Sequence, residues 1–152
     1  MAETVKTLVL QALETLLATV EGINSVRLEE EIPFDLDDIP EADRPVLFIW
    51  DDSDDPLGGN RLARHDLETM LALFLPLPAG GFPEFSREAE AIAARIHAKM
   101  AAPASLRAAG VIQITPGECR KAKASEIWGE MTIPCRINYG HAVGNAFTTQ
   151  LT

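Results

Sequence analysis

The apolar residues of the first twenty positions recur on one helical face. Val5, Leu8, Val9, Ala12, Leu13, Leu16, Leu17 and Val20 fall at steps of three and four, which predicts an amphipathic helix. Thr4 stands where a side-chain oxygen caps such a helix, and Gly22 supplies a permissive residue just past its end. Leu10 falls off this stripe and is expected either exposed or in contact with another chain. Val26 to Leu28 predicts a short strand. Acids and prolines then break any regular element from Glu29 to Arg44, with Phe34, Leu36 and Ile39 expected to pin this excursion to the core. Pro45 to Trp50 is a continuous apolar run, the mark of a buried strand.

Asp51 to Asn60 (DDSDDPLGGN) predicts a charged, turn-forming loop. Arg61 to Leu75 fits two periods: Leu67, Thr69, Leu71, Leu73 and Leu75 alternate as in a strand, while Leu67, Met70, Leu71, Phe74 and Leu75 keep helical spacing. Pattern alone leaves both open. A Pro/Gly-rich connector, Pro76 to Pro83, precedes a helix with Ser86 as its cap, Glu88 and Glu90 in its first turn, and Ala89, Ile92, Ala93, Ile96 and Met100 as its buried stripe. Pro103 to Ala109 predicts one short helical turn ended by Gly110, and Val111 to Thr115 a strand. From Glu130 to Tyr139, Met131, Ile133, Cys135, Ile137 and Tyr139 alternate with polar residues, the period of a half-buried strand. Pro134 lies on its polar face and removes a ladder donor, which predicts an edge strand or a bulge. The order of elements gives an α+β fold class, a mostly antiparallel sheet with two main helices packed on one face. One domain is expected over 1–140, with 141–152 as a C-terminal tail.

Charge adds an asymmetry. The 152 residues carry a net −10, but residues 1–60 hold 15 acidic and 3 basic side chains, and residues 61–152 hold 8 and 10. An acidic protein is repelled by phosphate backbones, which disfavours gripping nucleic acid. Glu3, Lys6, Glu14 and Glu21 punctuate the opening helix, so it reads neither as a signal peptide nor as a membrane span, and no membrane partner is expected. Cys119 and Cys135 are expected as reduced thiols.

Chemistry-bearing motifs are scarce. There is no P-loop, no G-x-G-x-x-G and no G-x-S-x-G. His65, His97 and His141 share no ligand spacing with one another or with the cysteines, so no metal and no cofactor is expected. Asp51, Asp52, Asp54 and Asp55 invite a calcium reading, but Pro56 and Leu62 stand where an EF-hand needs its glycine and its bidentate glutamate. A solvated acidic turn fits better. Arg120, Lys121 and Lys123 form a small basic cluster, either a solvated loop or a docking patch for an acidic surface of a neighbouring subunit; charge reversal at Lys121 and Lys123 is the corresponding test.

In this order of elements the chain resembles the tail-terminator and tail-completion proteins of long-tailed bacteriophages, a family that includes the minor tail protein U of phage lambda. The resemblance rests on the opening helix, the proline-led strand Arg44-Pro45-Val46-Leu47-Phe48-Ile49, and a long strand running out as Leu73-Phe74-Leu75-Pro76. An alanine- and isoleucine-faced helix, the turn at Ala104-Ser105-Leu106 and a closing strand near Tyr139 complete it. It favours strand for 61–75. It implies a non-enzymatic virion protein of the tail or neck, assembled in the host cytoplasm. Such a protein forms a ring, typically hexameric, that ends tail-tube polymerisation and joins the tail to the head-completion or stopper protein. Double-stranded DNA would pass through the lumen, and Asp51, Asp52, Asp54 and Asp55 are candidates for its lining or for a subunit-facing rim. Three other readings compete: a different neck adaptor of the same virion, a small cytosolic enzyme assembled from Asp66, His65 and Cys119, and a regulator whose acidic half mimics nucleic acid.

Overall fold

A threonine starts the first helix. Thr4 Oγ1 accepts the N–H of Thr7 at 3.2 Å, and α1 runs over Val5–Leu17. The structure is a computed structural model that describes residues 3–28, 35–59, 62–101 and 104–146. After α1 come β1 (Ser25–Leu28), β2 (Val46–Gly58), β3 (Leu62–Pro76), α2 (Phe82–Ala101), α3 (Ala104–Ala109), β4 (Val111–Pro116), β5 (Arg120–Lys123) and β6 (Trp128–Ala142). The strands form one six-stranded sheet in the order β1-β2-β3-β6-β4, with β5 also paired to β6. Only β1 and β2 run parallel. The α+β class holds, with the helices on one face.

That face carries the main core. Leu47 and Ile49 of β2, Leu67, Leu71, Leu73 and Leu75 of β3, and Met131, Ile133, Cys135, Ile137 and Tyr139 of β6 pack beneath α1, α2 and α3. The stripe Ala89, Ile92, Ala93, Ile96 and Met100 is buried as its spacing predicts, joined by Phe85. Of the segment left open between strand and helix, Leu62 onward is strand, and its alternation, not its helical spacing, sets the buried side. Thr69 is the one buried polar residue among those described; it donates to the Cys135 carbonyl at 2.9 Å, which removes the cost of its burial.

The opposite face has a smaller core. Val46, Phe48, Ala72, Phe74 and Trp128 lie under Ile39 and Leu36, so the excursion is pinned across the sheet from the helices. Phe34 lies outside the described residues. Two 3₁₀ turns, Leu36–Asp38 and Glu41–Asp43, carry the chain over this face. Asp37 Oδ1 accepts the Trp128 indole N–H at 2.8 Å, and the Arg44 guanidinium sits 5.0 Å above the Trp128 ring while donating to the Ile39 carbonyl at 2.8 Å.

Several expectations are corrected. The acidic stretch 51–58 is strand, not loop: β2 continues through it because β3 supplies a pairing partner for the whole length. Helix α2 begins at Phe82, four residues before Ser86. Pro83 sits in the first turn, where its missing N–H costs nothing, and the Glu84 carboxylate accepts the Gly80 N–H at 2.8 Å. Leu10 is buried and Leu8 is 39% exposed, because the buried side of α1 is turned toward Leu10 from the stripe read in sequence. β6 is central, flanked by β3 on one side and by β4 and β5 on the other. Pro134 is tolerated there because its carbonyl, which accepts the Gly117 N–H at 2.6 Å, and hence its ring nitrogen point into the gap between the end of β4 and the start of β5. β6 also runs on to Ala142, and the Val5 N–H donates to the Ala146 carbonyl at 2.8 Å.

At Gly129 the Phe85 ring of α2 lies directly on β6. A Cβ there would lie 2.4 Å from the Phe85 ring. Gly129→Ala therefore overpacks the core and is expected to lower stability by about 1–3 kcal/mol, read as a fall in urea midpoint with little change in slope.

Candidate functional site

A β-bulge turns two of the four clustered aspartates inward. Asp51 pairs with Thr69 and Ser53 with Glu68, leaving Asp52 as the extra residue. Strict alternation would place Asp51 and Ser53 on one side. The bulge places Asp51 and Asp54 together on the helix side instead, opposite Thr69 and Leu67. Asp51 forms an ion pair with Lys6 of α1. Asp52 and Asp55 are exposed, and among the described residues their carboxylates make no hydrogen bond or ion pair.

Asp54 is the centre of a polar cluster at this end of the sheet. Its Oδ1 lies 2.9 Å from His65 Nδ1, and its Oδ2 accepts the Tyr139 hydroxyl at 2.6 Å. The His65 ring stacks on Tyr139 with centroids 4.9 Å apart, and His65 Nε2 lies 2.8 Å from His141 Nε2. His141 Nδ1 faces the Ala142 carbonyl at 2.9 Å. His65 and Asp54 are about one-fifth exposed, so the cluster is shielded yet reachable from solvent. Burial first, then the bond to Asp54 and the charges of Asp54 and Asp51, hold the Tyr139 phenol well above its usual range. It is a fixed donor.

None of these partnerships was read from the sequence, in which His65 and His141 stand 76 residues apart. The available signal was register. Once 51–58 and 62–76 form a hairpin, Pro56 falls opposite His65, and the β3–β6 ladder then sets His65 opposite Tyr139. The trio Asp66, His65 and Cys119 is not brought together. Asp66 points to the other face, bonded to Asn138, and Cys119 immediately precedes β5 at the far end of β6. A surface groove of 660 Å³ runs between the end of α1 and α2, lined by residues such as Leu16, Val20, Arg95 and Lys99, and holds none of the three.

The basic cluster is strand rather than loop and divides in the same way. Lys121 is held by Ser86 Oγ at 2.7 Å and by Glu90, while Arg120 and Lys123 are exposed. Both cysteines are free. Burial pushes the Cys135 thiol up to about 12, and burial also raises Cys119. Among the described residues no three metal-binding side chains converge on one point, and no helix is long and apolar enough to cross a membrane.

Fold and site together define an α+β protein whose sheet carries helices on one face and a half-buried aspartate–histidine–tyrosine cluster at one end. No family model matches the chain, and no curated protein sequence matches it. Among solved structures, a chain from the virion of a native gene transfer agent particle is similar at 11% identity, over 90% of this chain and 95% of that chain, with a TM-score of 0.40.

Two outcomes test the cluster and the core beside it. Tyr139→Phe removes the donor to Asp54 and is expected to cost about 1.5–3 kcal/mol, the range for a hydrogen bond to a charged group, read by urea unfolding. For Cys135 the folded thiol value lies above the ordinary 9.0. Its contribution is therefore complete below pH 9 and is lost as pH rises toward about 12. Stability measured from pH 8 to 11 should fall, and Cys135→Ala should make that fall shallower.

Proposed function

We propose that this chain is a structural virion protein that acts by binding rather than catalysis. Copies form a ring, typically of six, that ends tail-tube polymerisation and meets the head-completion or stopper protein on its other face. The order of elements supports this reading, since the resemblance to tail-terminator proteins needs 61–75 as a long strand and the closing strand near Tyr139. The observation that carries it is the placement of charge. The outward acids sit from the middle of the β3–β6 ladder toward its hairpin end, with Asp55 level with Asp66 and Asn138, and β5 sits toward the other end, with Lys123 level with Gly129. From Gly129 to Asn138 a strand spans about 30 Å. A subunit with outward acids toward one end and outward cations toward the other is suited to head-to-tail contact, the heterologous arrangement that closes into rings.

Within that arrangement Asp52 and Asp55 are the acids open to a lumen or to a neighbouring rim, while Asp51 and Asp54 are engaged inside the subunit. An acidic lumen lets DNA phosphates pass without being held. Arg120 and Lys123, not Lys121, are the cations free to dock.

Native mass measurement with negative-stain images of the purified protein tests the proposal. Closed rings are expected, and Arg120→Glu with Lys123→Glu should shift them toward monomers by about tenfold or more in dissociation constant, one to two kcal/mol for the lost pairs. Rings that survive the double reversal remove the docking assignment. A chain that stays monomeric when concentrated, and does not cap preformed tail tubes, overturns the function.

A further inference from the structure

Two imidazole nitrogens face each other across the end of the β3–β6 ladder, His65 Nε2 and His141 Nε2, 2.8 Å apart. Their far nitrogens are already committed. His65 Nδ1 lies 2.9 Å from an Asp54 carboxylate oxygen, and His141 Nδ1 lies 2.9 Å from the Ala142 carbonyl. A carboxylate and a carbonyl only accept, so each Nδ1 carries the ring hydrogen. A neutral imidazole with hydrogen on Nδ1 presents a lone pair at Nε2. Two lone pairs thus converge with no hydrogen between them, an arrangement that is stable only around an electrophile.

We propose that His65 Nε2 and His141 Nε2 form a binding site for a divalent transition-metal ion of the zinc, copper or nickel class, with Asp54 as the carboxylate that orients His65. Imidazole suits those ions, whereas calcium and magnesium require oxygen donors. The hydrogen bond from a ligating histidine to a carboxylate is the usual means of fixing its tautomer and raising its basicity. The geometry is close to what is needed. Two nitrogens at 2.0–2.1 Å from a tetrahedral ion lie about 3.3 Å apart, so the rings need to separate by only about 0.5 Å. Two protein ligands leave the remaining positions to water or to groups of a neighbouring copy. The setting favours a dication over a shared proton, because the Asp54 carboxylate in contact with His65 attracts a double charge twice as strongly as a single one. Bound there, the ion ties β3 to β6 directly and β2 through Asp54.

The experiment is titration of the full chain with Zn²⁺, and with Co²⁺ as a visible probe, followed by calorimetry and by the imidazole resonances. One equivalent should bind, shifting the ring signals of His65 and His141 and leaving those of His97 unmoved. His65→Ala and His141→Ala should each weaken binding by about tenfold or more, and Asp54→Asn by about 10–100-fold. The resonance shifts in the unsubstituted protein keep the test valid should a variant fail to fold. Absence of saturable binding overturns the site. So does binding that survives both histidine substitutions, and so do His65 and His141 rings that respond to pH but not to the ion, which would identify a shared proton instead.

Discussion

The antiparallel pairing of β3 with β6 is the constraint on which the rest of the molecule depends. It runs unbroken from Leu62 opposite Ala142 to Pro76 opposite Trp128. Side chains alternate along both strands, so this one register sends Leu67, Leu71 and Leu73 with Met131, Ile133 and Ile137 beneath the helices. A slip of a single residue would turn one strand over, bringing either Asp66 and Glu68 of β3 or Arg136 of β6 into that core. The cost of desolvating these charges makes the register steep rather than soft. Thr69 is the exception that fits the rule, since its hydroxyl is answered by the Cys135 carbonyl across the same ladder.

The parts of the fold whose period is set by one buried face were legible. Strand β6 and the inner stripe of α2 read directly, because each alternates or repeats against a single apolar surface. Other parts were set by partners distant in sequence. Asp51 to Gly58 has the composition of a turn, with four aspartates, a proline and a glycine, yet it is strand because β3 offers it a ladder; tertiary pairing overrides propensity. Pro134 reads as an edge signal, yet β6 is central, since the proline faces the one gap between two short neighbours. Leu8 and Leu10 exchanged roles because a helical stripe locates a buried side only to within one position.

The polar cluster was hidden for a related reason. His65 and Asp54 are brought together by a bulge at Asp52, and His141 joins them through the β3–β6 register. Neither device leaves a spacing motif in the sequence. The charge asymmetry between the two halves of the chain was legible, but its meaning changed once geometry divided each group: Asp51, Asp54 and Lys121 serve the subunit itself, and Asp52, Asp55, Arg120 and Lys123 face outward.

That division limits what charge can do between copies. Two exposed acids meeting two exposed cations contribute at most about 1 kcal/mol per pair in water, which is enough to steer and orient subunits but not to hold a ring. The holding term has to be apolar, and each end of the ladder carries a candidate. Leu57, 54% exposed, stands near the hairpin tip beside the outward acids, and Ile127, 55% exposed, stands between β5 and β6 beside the outward cations. Burying one such side chain contributes about 1.5–3 kcal/mol, more than either ion pair. In the proposed assembly, charge therefore selects which end meets which, and these two side chains supply the larger share of the adhesion.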